Sequence, residues 1–272
     1  MVGTTGDIQV PGGHLHSECA GEGTALVLLN AGSADLRMWE SNMAALTARH
    51  RVIRYDDRNV GRHSSPAGAP WSYSADLLAV LDHWGVERAT LVGASDGGRK
   101  ALDFAVEHPE RVERLVLTGC ALALPHPDHA EQAALEALLT ALVPRSEAVE
   151  RGDLPAAVAA DLAVWAPCLT PPQRARLAEI YADSPAFLQG SPVEPIEPNR
   201  PGIAHLAEIK APVLVLVGSH DTPYTHHCAE RIASGAPDAD LIVVPAADHF
   251  INVSRPEDFH RLVLTATGAT TG

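Results

Sequence analysis

The chain has 272 residues, of which 46% are hydrophobic, and a formal net charge of −14. That length suits one large α/β domain or two small ones, and it can bury a sizeable core without cross-links. The acidity, with Lys and Arg scattered and no basic run, argues against a nucleic-acid partner and serves solubility instead. Cys19, Cys120, Cys168 and Cys228 form no CxxC motif and no zinc-type pair. They predict reduced thiols and a cytoplasmic protein. Residues 1–7 lack a basic region followed by an apolar one, so no signal peptide is visible. No apolar run approaches a membrane span, and no membrane association is expected.

Along the chain, short apolar runs alternate with helical patterns. Strands are predicted at Ala25–Leu29, Arg51–Tyr55, Ala89–Gly93, Val112–Thr118, Pro212–Val217 and Leu241–Val244. Uninterrupted apolar strands of this kind belong in a sheet covered on both faces. Helical patterns fall at Leu36–Ala48, Ser74–Trp84, Arg99–Glu107, His226–Ser234 and Pro256–Thr265. The alternation predicts a mostly parallel sheet flanked by helices, with right-handed crossovers.

Between Ala121 and Ile209 the rhythm breaks. Three segments there read as helices: Glu131–Leu142, Leu154–Trp165 and Pro172–Tyr181. The proline-rich Ser191–Pro201 excludes helix and interior strand. The expected organisation is a core in two parts, residues 1–120 and 210–272, with a helical cap insertion at 121–209. Leu135, Leu138, Leu139 and Leu142 recur at helical spacing as one apolar stripe, which would either line a pocket or pack on the core. Trp165 and Phe187 are the candidate pocket residues, because aromatic side chains are few here.

The strongest chemical signal is Gly93-Ala94-Ser95-Asp96-Gly97, between a predicted strand and a predicted helix. This is the G-x-S-x-G nucleophile elbow in its strand-turn-helix context. Glycines are required at 93 and 97 because side chains there would collide with neighbouring strands and helices. Ser95 stands at a helix N-terminus, where peptide dipoles favour developing negative charge. A hydroxyl is a poor nucleophile until a base takes its proton. His249, after the last strand, is the candidate base among 14 histidines. Asp221, after the strand before it, is the candidate orienting acid, and Asp248 is its competitor. All three lie at carboxyl ends of predicted parallel strands, in the chain order Ser, Asp, His. His226 and His227 lack a third ligand at helical spacing, so no metal site is expected. The oxyanion donors should be the backbone N–H groups of Asp96 and Gly32, with the Ser33 hydroxyl assisting from the pocket.

With these residues the chain resembles the α/β-hydrolase superfamily. The likeness covers nearly the whole core and leaves the insertion unmatched. Asp56-Asp57-Arg58-Asn59-Val60-Gly61-Arg62-His63-Ser64 looks like that family's D-x-R-G-x-G-x-S loop. Val52–Ser64 is similar, more particularly, to bacterial polyketide-tailoring esterases of the anthracycline methylesterase kind, which would place the chain in secondary metabolism. Three departures stand out. Asn30-Ala31 replaces the usual His-Gly after the first core strand. Asn59 replaces a glycine, tolerating left-handed backbone angles. Asp96 puts an acid directly after the nucleophile, within helical reach of Arg99 and Lys100. The resemblance implies an α/β-hydrolase fold and hydrolysis of a carboxylic ester of a small to medium apolar substrate, with no cofactor. Lactone, thioester and carbon–carbon hydrolysis, peracid formation, and non-hydrolytic roles in cyclisation, rearrangement or ligand reception share the same frame. The partner expected is a small molecule, and homo-oligomerisation stays open.

Overall fold

A computed structural model describes residues 3–32, 34–58, 60–61, 68–184 and 193–269. Ser33, Asn59, Phe187 and residues 62–64 of the loop at Asp56–Ser64 lie outside the described residues.

The chain opens with an antiparallel hairpin, β1 (Thr4–Val10) and β2 (Gly13–Ala20). Neither strand is predicted by the apolar runs. Their buried positions alternate with exposed ones in β1 and half-buried ones in β2, and include Ser17, so period-two patterning is diluted by polar residues. Then follow β3 (Ala25–Leu29), a 3₁₀ turn at Leu36–Trp39, α1 (Glu40–Thr47), β4 (Arg51–Tyr55), α2 (Tyr73–His83), β5 (Ala89–Ala94), α3 (Asp96–Glu107) and β6 (Val112–Thr118). Next come α4 (His129–Ala141), α5 (Val143–Glu150), α6 (Leu154–Trp165) and α7 (Pro171–Ala182). The chain closes with β7 (Val213–Gly218), α8 (Pro223–Gly235), β8 (Ala239–Val244), α9 (Ile251–Ser254) and α10 (Pro256–Ala266). The strand order is β1-β2-β4-β3-β5-β6-β7-β8, antiparallel through β1, β2 and β4 and parallel from β4 to β8. This is the mostly parallel sheet of an α/β-hydrolase fold.

Alternate strand residues feed two cores, one on each face. Val27, Leu29, Leu91, Leu115 and Val215 pack with Leu77 of α2, Phe104 of α3 and Ile232 of α8. Leu26, Leu28, Val92, Val116 and Leu216 pack with Trp39 and with Phe259 of α10. Central strands buried on both faces must be apolar throughout, which is why their sequence runs are continuous.

Among the described residues of the 121–209 stretch, helices occur and strands do not. Val158 and Leu162 of α6 and Leu177 and Ile180 of α7 join the second core beside Phe250 and Ile251. Ion pairs Arg176–Glu40 (2.8 Å) and Arg37–Asp183 (2.9 Å) tie α7 to the main body. The extra helix α5 carries Pro144 in its first turn, where a missing N–H costs nothing. The leucine stripe on α4 packs mainly on the core. Leu138 is buried, and Leu135 and Leu142 pack against the first core, whereas Leu139 is 56% exposed. Beyond Pro192 the proline-rich strap pairs with the segment before α2. Ile196 N–H donates to the Trp71 carbonyl (2.6 Å), and the Trp71 indole donates to the Val193 carbonyl (2.9 Å). No described helix is long and apolar enough to cross a membrane.

Candidate active site

The turn between β5 and α3 holds Ser95 at φ 52°, ψ −118°. This is strained backbone for a residue with a Cβ, and its surroundings enforce it. A Cβ on Gly93 would strike the Gly97 carbonyl, and one on Gly97 would strike the Leu29 carbonyl. One on Gly98 would overlap the Cys120 sulfur. The glycines thus let β3, β6 and the N-terminus of α3 close around the serine. α3 begins at Asp96, earlier than the helical pattern alone indicates, because Gly97 and Gly98 mask its first turn.

Ser95 N–H donates to the Thr118 carbonyl at the end of β6 (2.8 Å). The next residue, Gly119 (φ +59°), lies against His249: a Cβ there would stand 3.2 Å from Nδ1 and 2.5 Å from the carbonyl oxygen. The end of β6 thereby joins the serine turn to the histidine loop. His249 Nδ1 meets Asp221 Oδ2 at 2.9 Å and Oδ1 at 3.2 Å, and both side chains are almost wholly buried. Asp221 Oδ1 also accepts the Thr222 N–H (2.7 Å). Asp248, the competing acid, points elsewhere. Its oxygens accept the N–H groups of Cys168 (2.9 Å) and Phe250 (3.1 Å), which anchors the α6–α7 turn.

Trp165, at the end of α6, packs against His249 with ring centroids 4.4 Å apart, and its carbonyl accepts the His249 N–H (3.2 Å). One helical turn earlier, Asp161 is buried beside Arg145 of α5 (3.2 Å). Burial pushes its carboxyl up to about 6, against the lowering pull of Arg145 and His249. Nothing in the local sequence marks Asp161, because its neighbours come from other elements.

The two expected oxyanion donors sit side by side: a Cβ on Gly32 would lie 3.6 Å from that of Asp96. Asn30, in place of the family's histidine, is buried with both ends of its amide engaged. Its amide donates to the Tyr55 carbonyl (2.8 Å), and its oxygen accepts from the Trp39 indole (2.8 Å). This fixes the turn by side-chain bonds to β4 and to the 3₁₀ turn. Asp96 reaches both cations that helical spacing offers, Arg99 (2.7 Å) and Lys100 (2.8 Å). Burial would raise its carboxyl, but the charges of Lys100 and Arg99 outweigh that and hold it well below the usual range. In the same cluster Lys100 pairs with Asp57 of the loop after β4 (2.7 Å). In that loop Arg58 makes a buried two-pronged pair with Asp76 (2.7 Å each).

Among the described residues no group of three metal-ligating side chains comes together. His226 and His227 lie on the first turns of α8, whose end is capped by Thr222.

A family model for the α/β hydrolase fold matches residues 24–256. The chain belongs to the α/β-hydrolase family. A protein of Caulobacter sp. (strain K31) named "Putative carbamate hydrolase RutD" is 30% identical to this α/β hydrolase over 254 residues, 88% of each chain. The enol-lactonase of Burkholderia xenovorans LB400 superposes with a TM-score of 0.75 at 26% identity, covering 97% of this chain and all of the other (100%). Carboxylesterase CesB of Bacillus subtilis gives a TM-score of 0.75 at 24% identity, covering 100% and 93%, and supports the fold alone. These relatives do not support the closer likeness to polyketide-tailoring methylesterases. The chain is a hydrolase of the α/β fold.

Proposed function

We propose that this hydrolase cleaves a carboxylic ester, or a closely related acyl bond, of a small to medium apolar substrate through a covalent acyl-serine. The observation that carries the reading is the Asp221–His249 pair, 2.9 Å apart and shielded from water, joined through the end of β6 to a serine in strained elbow geometry. His249 takes the Ser95 proton as Oγ attacks the carbonyl carbon. Asp221 holds Nδ1 protonated, so that Nε2 is free to accept. The N–H groups of Asp96 and Gly32 would receive the oxyanion. His249 then returns the proton to the leaving alcohol, and a water activated by the same imidazole releases the acid. In this reading Trp165 contributes an apolar wall beside the base, and Ser33 and Phe187 stay candidates for the same pocket.

A second reading has a specific support: the RutD proteins are named as carbamate hydrolases, and one is 30% identical over most of this chain. A carbamate ester presents a carbonyl carbon with nitrogen on one side, so attack by Ser95 would release the alcohol and leave a carbamoyl-serine, and water would release a carbamic acid that loses carbon dioxide to leave the amine.

The test is turnover of p-nitrophenyl esters of graded chain length beside an aryl carbamate, with covalent labelling by a fluorophosphonate. Labelling should fall on Ser95, and Ser95→Ala should lower kcat by roughly four orders of magnitude or more. Carbamate preferred over every ester selects the second reading. Labelling of another serine, or full activity of Ser95→Ala, removes both.

A further inference from the structure

Lys100 is a residue for which the reaction above has no use, yet its side chain is only 3% exposed and lies on the helix that begins at the serine turn. An ammonium has three donors and no acceptor, so burying one requires three partners. Here Nζ meets Asp57 Oδ2 at 2.7 Å, Asp96 Oδ2 at 2.8 Å and the face of the Tyr73 ring at 4.2 Å from its centroid. Burial opposes this charge, but Asp57 and Asp96 together keep Lys100 protonated well beyond its ordinary range. The three partners come from three places: the loop after β4, the residue after the nucleophile and the start of α2.

Asp96 is the awkward member. Its N–H is the candidate oxyanion donor and its Cβ lies beside Gly32, while its side chain, 31% exposed, ends in a carboxylate whose sign a developing oxyanion repels. The two oxygens are divided between two cations: Arg99 Nε takes Oδ1 and Lys100 Nζ takes Oδ2. Arg99 is shared with Asp103 (3.0 Å) and is half-buried, so solvent weakens its hold. Lys100 is out of water and held by the equally buried Asp57.

Resting on the acyl-serine reading, we propose that Lys100 is a positioning residue of the oxyanion site: it holds the Asp96 carboxylate in an ion pair and offsets its charge, so that the Asp96 N–H acts as a net donor. Lys100 touches no reacting atom and works through Asp96. The linkage to Asp57 places the loop after β4 under the same control.

Removing Lys100 alone would strand the buried Asp57 carboxylate, take one of its two cations from Asp96 and endanger folding. The test therefore starts from Asp57→Asn combined with Lys100→Met, which removes one positive and one negative charge together. With a p-nitrophenyl ester, kcat of this double variant should fall between about 10- and 100-fold, less than the roughly 10²–10³ for deleting an oxyanion donor. KM should stay within about threefold. The rate of covalent labelling by a fluorophosphonate should fall in parallel. Adding Asp96→Asn should recover at least about tenfold of the lost kcat. The proposal is overturned if the double variant melts lower but retains the wild-type kcat, or if the third substitution recovers nothing. If the wild-type enzyme itself is neither labelled nor active on any acyl substrate, the acyl-serine reading fails first and takes this proposal with it.

Discussion

The indole of Trp165 and the imidazole of His249 lie 4.4 Å apart between ring centroids, and the backbone of one accepts the N–H of the other. This places the end of α6 over the proposed base. Backbone and ring do different work. The Trp165 carbonyl fixes the His249 loop whatever the side chain, while the ring closes one wall of the space beside the imidazole.

Trp165→Ala therefore separates the two. The backbone hydrogen bond survives, and a half-buried ring is lost from the edge of both cores. KM for p-nitrophenyl esters should rise several-fold and the preference between short and long acyl chains should change. Melting temperature should fall by less than about 4 °C, the shift that about 1 kcal/mol produces at this chain length. A larger drop in melting temperature with unchanged chain-length preference makes the ring scaffold rather than pocket wall.

Much of the arrangement is readable before folding, and the reasons differ by element. β3 to β7 announce themselves because both faces are covered, so Leu26 and Val27 must both be apolar although they point into different cores, whereas β8 is an apolar run at the sheet edge that leaves Ile242 and Val243 exposed. The β1–β2 hairpin does not, because one face of each strand is left to polar residues and the other includes Ser17, whose hydroxyl is satisfied by the Gly6 carbonyl (3.0 Å). Ser95, Asp221 and His249 are picked out as candidates by motif and by their places after strands, and of these the structure brings Asp221 and His249 into contact. Asp57 and Lys100 are 43 residues apart and meet only because β4 and α3 flank the same corner. A pairing of that kind has no local pattern. Asp96 is the intermediate case, since spacing offers two cations but does not say that both are taken.

The choice of acid is checked by a pair of substitutions. Asp221→Asn keeps the shape of the pair but removes the acceptor that fixes the imidazole tautomer, and activity should fall by roughly 10⁴-fold with little change in melting temperature. Asp248→Asn should do the reverse. Its carboxylate secures the N–H groups of Cys168 and Phe250, so the variant should melt several degrees lower and keep kcat within about tenfold, the scale expected for a lost anchor rather than a lost catalytic group. Kinetics and thermal melts on the two purified variants decide it, and crippling of Asp248→Asn alongside a mild Asp221→Asn would exchange the roles.

Asp56 stands at the start of the loop after β4. Its carboxylate accepts the Leu36 N–H (2.8 Å) and is almost fully buried. Burial pushes its carboxyl up to about 8. The Leu36 N–H works against this, Asp35 and Asp57 add to it, and Arg37 offsets part. An unfolded chain releases this proton near pH 4, whereas the folded protein keeps it to about pH 8. Between those limits the folded state binds more protons, so the contribution of Asp56 to stability falls as pH rises. Asp56→Asn removes the titration and can still accept from Leu36. The melting temperature of the variant relative to wild type should therefore increase steadily from pH 5 to pH 8, measured by calorimetry in buffers of matched ionic strength. A difference that does not change with pH means that Asp56 enters the folded protein already ionised, with its charge met by Arg37 rather than by a proton.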